Sequence, residues 1–132
     1  MPARGAADFI KNIAEAYGGE ISLRAPYRGA RSEDIPEELY SILEISDGIS
    51  ETAQNPCTGE KMTVAWILYP HAQILEESRF FKNEYGVDGT AFTDDGAGNP
   101  YLLKAGGTVV FFDAIDGEEI HKAASLYEFY KK

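Results

Sequence analysis

Between Thr90 and Asp113 three short segments, TAFTD, PYLLKA and TVVFFD, are separated only by turn residues. Runs this short and this rich in β-branched and aromatic residues read as strands. The links between them are too short for a crossover helix, so neighbouring strands must run antiparallel. Ala105-Gly106-Gly107-Thr108 carries a two-residue Gly-Gly link, the strongest hairpin signal in the chain. Asp116-Gly117 marks a further turn. The closing stretch SLYEFYKK reads as a helix, with Ser125 and Glu128 at capping-box spacing and Lys131 and Lys132 where the helix dipole favours cations.

The preceding half reads differently. In AADFIKNIAEAY, Phe9, Ile13 and Tyr17 recur at four-residue spacing with Ile10 and Ala14 beside them, which predicts an amphipathic helix stopped by Gly18 and Gly19. A short strand or loop, EISLRAPYRGARS, follows. A second helix is predicted in DIPEELYSILEISDG: Pro36 suits the first helical position, Glu37 and Glu38 the first turn, and Leu39, Ile42, Leu43 and Ser46 share a face. Residues 49–60, ISETAQNPCTGE, show no periodicity and read as a polar loop. KMTVAWILYP reads as a strand. A third helix runs from about Pro70 to Tyr85, with Ile74, Ser78, Phe81 and Tyr85 inward, Leu75 beside them, and Gly86 closing it. The expected fold is one α+β domain over residues 1–132, with helices packed against an antiparallel sheet.

Charge narrows the function. The net charge of −10 argues against direct binding of nucleic acid, which needs clustered Lys and Arg. The imbalance is concentrated: residues 1–31 carry a net +2, residues 32–60 a net −8 with no basic side chain, and residues 61–132 a net −4. Such a segment reads either as a solvated face or as a docking surface for a basic partner. No run of about 18 apolar residues predicts a membrane span, and MPARGAADFIKN lacks a signal-peptide pattern. With the single cysteine, Cys57, these features lead us to expect a cytoplasmic protein.

The paired carboxylates Asp94 and Asp95 in FTDDGAGNPYLL admit several chemistries. A calcium loop needs alternating oxygen ligands and a Glu at the twelfth position, where this chain has Ala105. A phosphate cradle needs glycines leading into a helix, whereas here Pro100 and an apolar strand follow. An acid–base pair remains open, but no G-x-S-x-G or H-E-x-x-H accompanies it. His71 reads as a first-turn helix residue, His121 as a strand-end or surface residue, and neither forms a metal signature with Cys57. The preferred reading is a strand connection in which Gly96 and Gly98 adopt positive φ and the carboxylates satisfy backbone N–H groups.

The order of segments resembles the SUKH superfamily, the Smi/Knr-like domains of yeast cell-wall regulators and many small bacterial proteins. IPEELYSILEISDGI, with Pro36, Tyr40 and Asp47-Gly48, is similar to a helix of the family, which often has Asn-Gly at that end. Trp66 with ILYPHAQILEE is similar to its strand-then-helix segment. AFTDDGAGNPYLL, with Asp95, Gly96, Gly98 and Asn99, is similar to its F-x-x-D-G-x-G-N turn. GGTVVFFDAIDGEE and AASLYEFY are similar to its final hairpin and terminal helix. The resemblance spans about residues 6–131.

The resemblance implies a SUKH (Smi/Knr-like) fold without a catalytic constellation or cofactor. It also implies an immunity protein that neutralises a cognate bacterial toxin, often a nuclease, by stoichiometric binding. We expect a non-enzymatic chain whose acidic face, Glu33, Asp34, Glu37, Glu38, Glu44, Asp47 and Glu51, meets a basic toxin domain. Pro36, Tyr40, Trp66, Asp95, Gly96, Gly98 and Asn99 are assigned to the scaffold. Two alternatives stay open: a regulatory or scaffold protein of the Smi/Knr type, and an enzyme using Asp94 and Asp95.

Overall fold

A computed structural model describes the backbone of residues 4–16 and 20–130 and the side chains of residues 10–16 and 20–130. In chain order the elements are α1 (Arg4–Ala16), β1 (Ile21–Leu23), α2 (Glu37–Leu43), β2 (Ile49–Gln54), β3 (Lys61–Leu68), α3 (His71–Tyr85), β4 (Thr90–Asp94), β5 (Pro100–Leu103), β6 (Val109–Asp113), β7 (Glu118–Ala123) and α4 (Leu126–Tyr130). The strands form two antiparallel sheets, β1-β2-β3 and β4-β5-β6-β7. Hydrogen bonds join them: the Tyr69 N–H donates to the Phe92 carbonyl at 2.8 Å, the Thr93 hydroxyl donates to the Trp66 carbonyl at 2.7 Å, and the Tyr69 hydroxyl donates to Asp94. The class is α+β, as expected. The expected helix contacts of Phe9 and Tyr17, the stop at Gly18-Gly19, and Lys131 and Lys132 lie outside the described residues or side chains.

The period of two along the strands explains why both faces of the second sheet are covered. Phe92 and Leu103 enter the main core with Ile13, Leu39, Ile42, Leu43, Ile49, Leu68, Ile74 and Leu126. Their chain neighbours Ala91 and Leu102 face the other way, onto Phe81, Val87 and Phe112. Helix α3 serves both clusters, through Ile74 and Phe81. Ser78, between them on the same stripe, accepts the Ala91 N–H at 2.9 Å. Tyr85 is 46% exposed rather than inward, although its ring stacks on Phe81 and meets Phe112 edge-on. Gly86 ends the helix in the left-handed conformation.

Three sequence expectations need correction. Residues 49–54 form a strand, not a loop. β2 is the middle strand of its sheet, and its buried positions are filled by Ile49, Ser50 and Thr52, so the sequence shows no apolar alternation. Its stability comes from pairing on both sides, which is tertiary information. The Gly-Gly link is a three-residue loop, Ala105–Gly107: the Lys104 N–H donates to Thr108 and the Gly107 N–H to Lys104, with Gly107 at φ 94°. Pro36 stands one residue before α2, in extended conformation, and its carbonyl accepts the Leu39 N–H at 3.0 Å. At α4 the Ser125 hydroxyl accepts the Glu128 N–H at 3.1 Å, the forward half of the expected capping box.

Candidate functional site

The turn between β4 and β5 is built as the residues suggested. Asp94 accepts the Gly96 N–H at 2.8 Å. Asp95 accepts the N–H groups of Ala97 at 2.8 Å and Asn99 at 3.1 Å, and its other oxygen accepts the Asn99 side-chain amide at 3.1 Å. The Asn99 side-chain oxygen accepts the Ala114 N–H at 3.0 Å, which ties this turn to the β6–β7 turn. Gly96 and Gly98 adopt φ of 85° and 93°. Slight burial works to raise the Asp95 pKa, but the bonds from Asn99 and Ala97 outweigh it and the carboxyl sits below its ordinary value. A carboxylate held ionised in this way presents fixed charge and is tuned away from neutral-pH proton transfer.

Beside this turn lies a cleft of about 330 Å³, open to one side. Trp66, Tyr101 and Phe129 supply aromatic walls, and Glu51, Asp94 and Asp95 supply charge. Strand β3 places Trp66, the β4 end places the two aspartates, and α4 places Phe129. The Tyr69 hydroxyl donates to the second oxygen of Asp94. Burial, then the Asp94 bond and charge, push the Tyr69 pKa far above its ordinary value, so the phenol keeps its proton. Burial also raises the Glu77 pKa, with Glu76 and Asp94 adding to it. None of Glu51, Asp94 and Asp95 pairs with a cation among the described residues.

The predicted acidic face is divided by the fold. Arg31 reaches across to both Glu37 and Glu44, with its guanidinium 4.8 Å from the Tyr40 ring centroid. Asp47 accepts the His71 N–H at 2.7 Å and so caps α3, whose own N-cap residue, Pro70, offers no side-chain bond. Glu33 and Asp34 line a larger cleft, about 650 Å³, together with Arg79 and Lys82 of α3 and Lys104. Glu51 lines the aromatic cleft. Burial raises the pKa of Glu38, which stands half-buried on α2. Glu33, Asp34, Glu38 and Glu51 have no ion-pair partner among the described residues. Sequence reasoning missed Arg31 because it falls at the edge of the base-free segment. It also placed Trp66 wholly in the scaffold, whereas the ring lines a cleft.

Tyr40 belongs to a small buried assembly around His71. Its hydroxyl accepts the Ser32 N–H and lies 2.9 Å from His71 Nε2, while Tyr27 stacks on the imidazole at 3.9 Å. Burial lowers the His71 pKa, and the Asp47 carboxylate opposes this without cancelling it. The fold therefore favours the neutral ring. Its stabilisation is complete above the unfolded value, about 6.5, and shrinks as pH falls through that value towards the lower folded one. We expect the urea midpoint to drop between about pH 7 and pH 5.5, with a shallower drop in His71→Gln. An equal drop in both would assign the effect elsewhere. Cys57 is exposed in the β2–β3 turn and His121 on β7. No group of three or more His, Cys, Asp or Glu side chains among the described residues could hold a metal ion. No described helix is long and apolar enough to cross a membrane.

A scan against protein-family models and searches of curated proteins and of solved structures return no match.

Proposed function

We propose that this chain is a non-catalytic protein-binding domain of the SUKH (Smi/Knr-like) type, an immunity protein that neutralises a basic toxin domain by stoichiometric binding. The sequence resemblance supports the family, and the α+β arrangement accords with it. The observation that carries the binding mode is the set of carboxylates without an ion-pair partner among the described residues: Glu33, Asp34 and Glu38, and, around the aromatic cleft, Glu51, Asp94 and Asp95. A protein of net charge −10 that presents these groups repels nucleic acid and attracts a basic surface. A nuclease toxin presents such a surface because it must hold phosphates. Covering it blocks substrate without any chemistry by the immunity protein.

The test uses charge reversal at positions free of structural bonds. Glu33→Lys with Glu38→Lys is expected to slow association with the basic partner by about tenfold at low salt and to flatten its salt dependence. Glu37 is a poorer choice, because reversing it also releases Arg31. Unchanged association rates and an unchanged salt slope would rule out this face.

A further inference from the structure

We propose that the cleft formed by Trp66, Tyr101, Phe129, Glu51, Asp94 and Asp95 receives an arginine side chain of the protein partner. This rests on the reading of the chain as a binder of a basic protein, and it names the residue type and the place. Two independent features meet in the cleft. Trp66, Tyr101 and Phe129 line it, and the faces of such rings attract cations through their quadrupole. Its rim carries three carboxylates with no cation among the described residues. Trp66 already takes one guanidinium within the molecule: Arg24 lies 5.8 Å from its ring centroid, outside the lining of this cleft.

The shape selects among cations. A bare metal ion needs convergent ligands, and no group of three or more candidate ligands among the described residues provides them. A lysine ammonium is a compact, strongly hydrated charge that gains little from flat walls. A guanidinium is planar and weakly hydrated, stacks on aromatic faces and pairs with carboxylates through several N–H groups. A volume of about 330 Å³ is at the small end for a ligand pocket and admits one long side chain. One oxygen of each of Asp94 and Asp95 is already oriented by backbone N–H groups, and the other by the Tyr69 hydroxyl and the Asn99 side-chain amide respectively, so little ordering is needed when the guanidinium shares their remaining lone pairs.

Trp66 is the only tryptophan in the chain, so its emission reports directly on the cleft. The probe is N-acetyl-arginine N-methylamide, titrated into the intact protein, with the matching citrulline derivative as an uncharged control of the same shape. The expected result is a saturable change in Trp66 emission, at least about tenfold weaker for citrulline. Backbone amide shifts in the protein's NMR spectrum should centre on Asp94, Gly96 and Tyr101. Glu51→Gln, a change on a strand face that carries no hydrogen bond from Glu51, should weaken binding about threefold. Unmoved emission, equal binding of citrulline, or shifts centred on other residues would overturn the proposal. The two readings fail separately. Arginine binding here together with an acidic natural partner would retain the cleft and remove the immunity reading. A basic partner whose affinity is unchanged by Glu51→Gln, with no probe binding, would do the reverse.

Discussion

Phe92→Ala is expected to lower the free energy of unfolding by about 3–5 kcal/mol. Phe92 is fully buried at the centre of β4. Its ring meets Phe129 edge-on at 5.4 Å and Tyr130 at 6.0 Å, and its carbonyl accepts the Tyr69 N–H that joins the two sheets. Truncation therefore opens a cavity where three structural units meet: the β3 end, the second sheet and α4. The transfer and cavity contributions add because a strand paired on one side and covered by helices cannot collapse into the gap. Small domains hold only about 5–15 kcal/mol in reserve, so this variant should unfold at a much lower urea concentration. It should also loosen Phe129 and blunt the Trp66 response to the arginine probe. A loss below about 1 kcal/mol would show that the Phe92 ring does not hold the β3 end, the second sheet and α4 together.

Gly48→Ala should cost about 2–5 kcal/mol, combining left-handed strain with overpacking. Gly48 has φ of 96°, and an added Cβ would lie 2.9 Å from the Pro70 nitrogen and 3.0 Å from its ring. Neither obstacle can move cheaply, because the residue lies inside a closed set of bonds. The Ser46 hydroxyl donates to the Gly48 carbonyl at 2.6 Å and accepts the Arg24 N–H at 2.7 Å, while Asp47 caps α3 through His71. The methyl would push α3 away from its cap. Gly86→Ala is the control: φ is 67° and nothing lies within 4 Å of the added atom, so only the backbone cost of about 1–2 kcal/mol remains. Equal destabilisation by the two substitutions, read from urea midpoints at constant m, would refute the steric account.

These two positions show what a sequence reader can and cannot see. Asp47-Gly48 was legible as a break in the chain, since that depends on local backbone preference, but the helix expected to run up to it stops earlier, at Leu43 with Glu44 as its C-cap. The contact of Gly48 with Pro70 was not legible, because the two are brought together only by the hairpin between them. Likewise the apolar spacing around Leu39, Ile42, Leu43 and Ile74 marks helices that bury one face, and the structure buries each of these side chains. Strand β2 was invisible because Ser50 and Thr52 fill its inward positions. The Asp94–Asn99 turn was readable down to its hydrogen bonds, because Asx side chains act on the next few residues. The acidic face was only half readable: net charge counts carboxylates along the chain, but Arg31 is folded onto two of them and Asp47 is used as a cap. The aromatic cleft joins residues from β2, β3, β4, β5 and α4, a set with no common sequence pattern.

In the proposed function, this protein silences a basic, harmful partner by covering it. The most direct test is to capture binding proteins from the native source at low salt, elute at high salt, and express the eluted partner alone and together with this chain. The expected result is one dominant basic protein that leaves the column as salt is raised, arrests growth when expressed alone, and is tolerated when this chain is present at equal abundance. A partner that is acidic, stays bound at high salt, or leaves growth unaffected when expressed alone would contradict it.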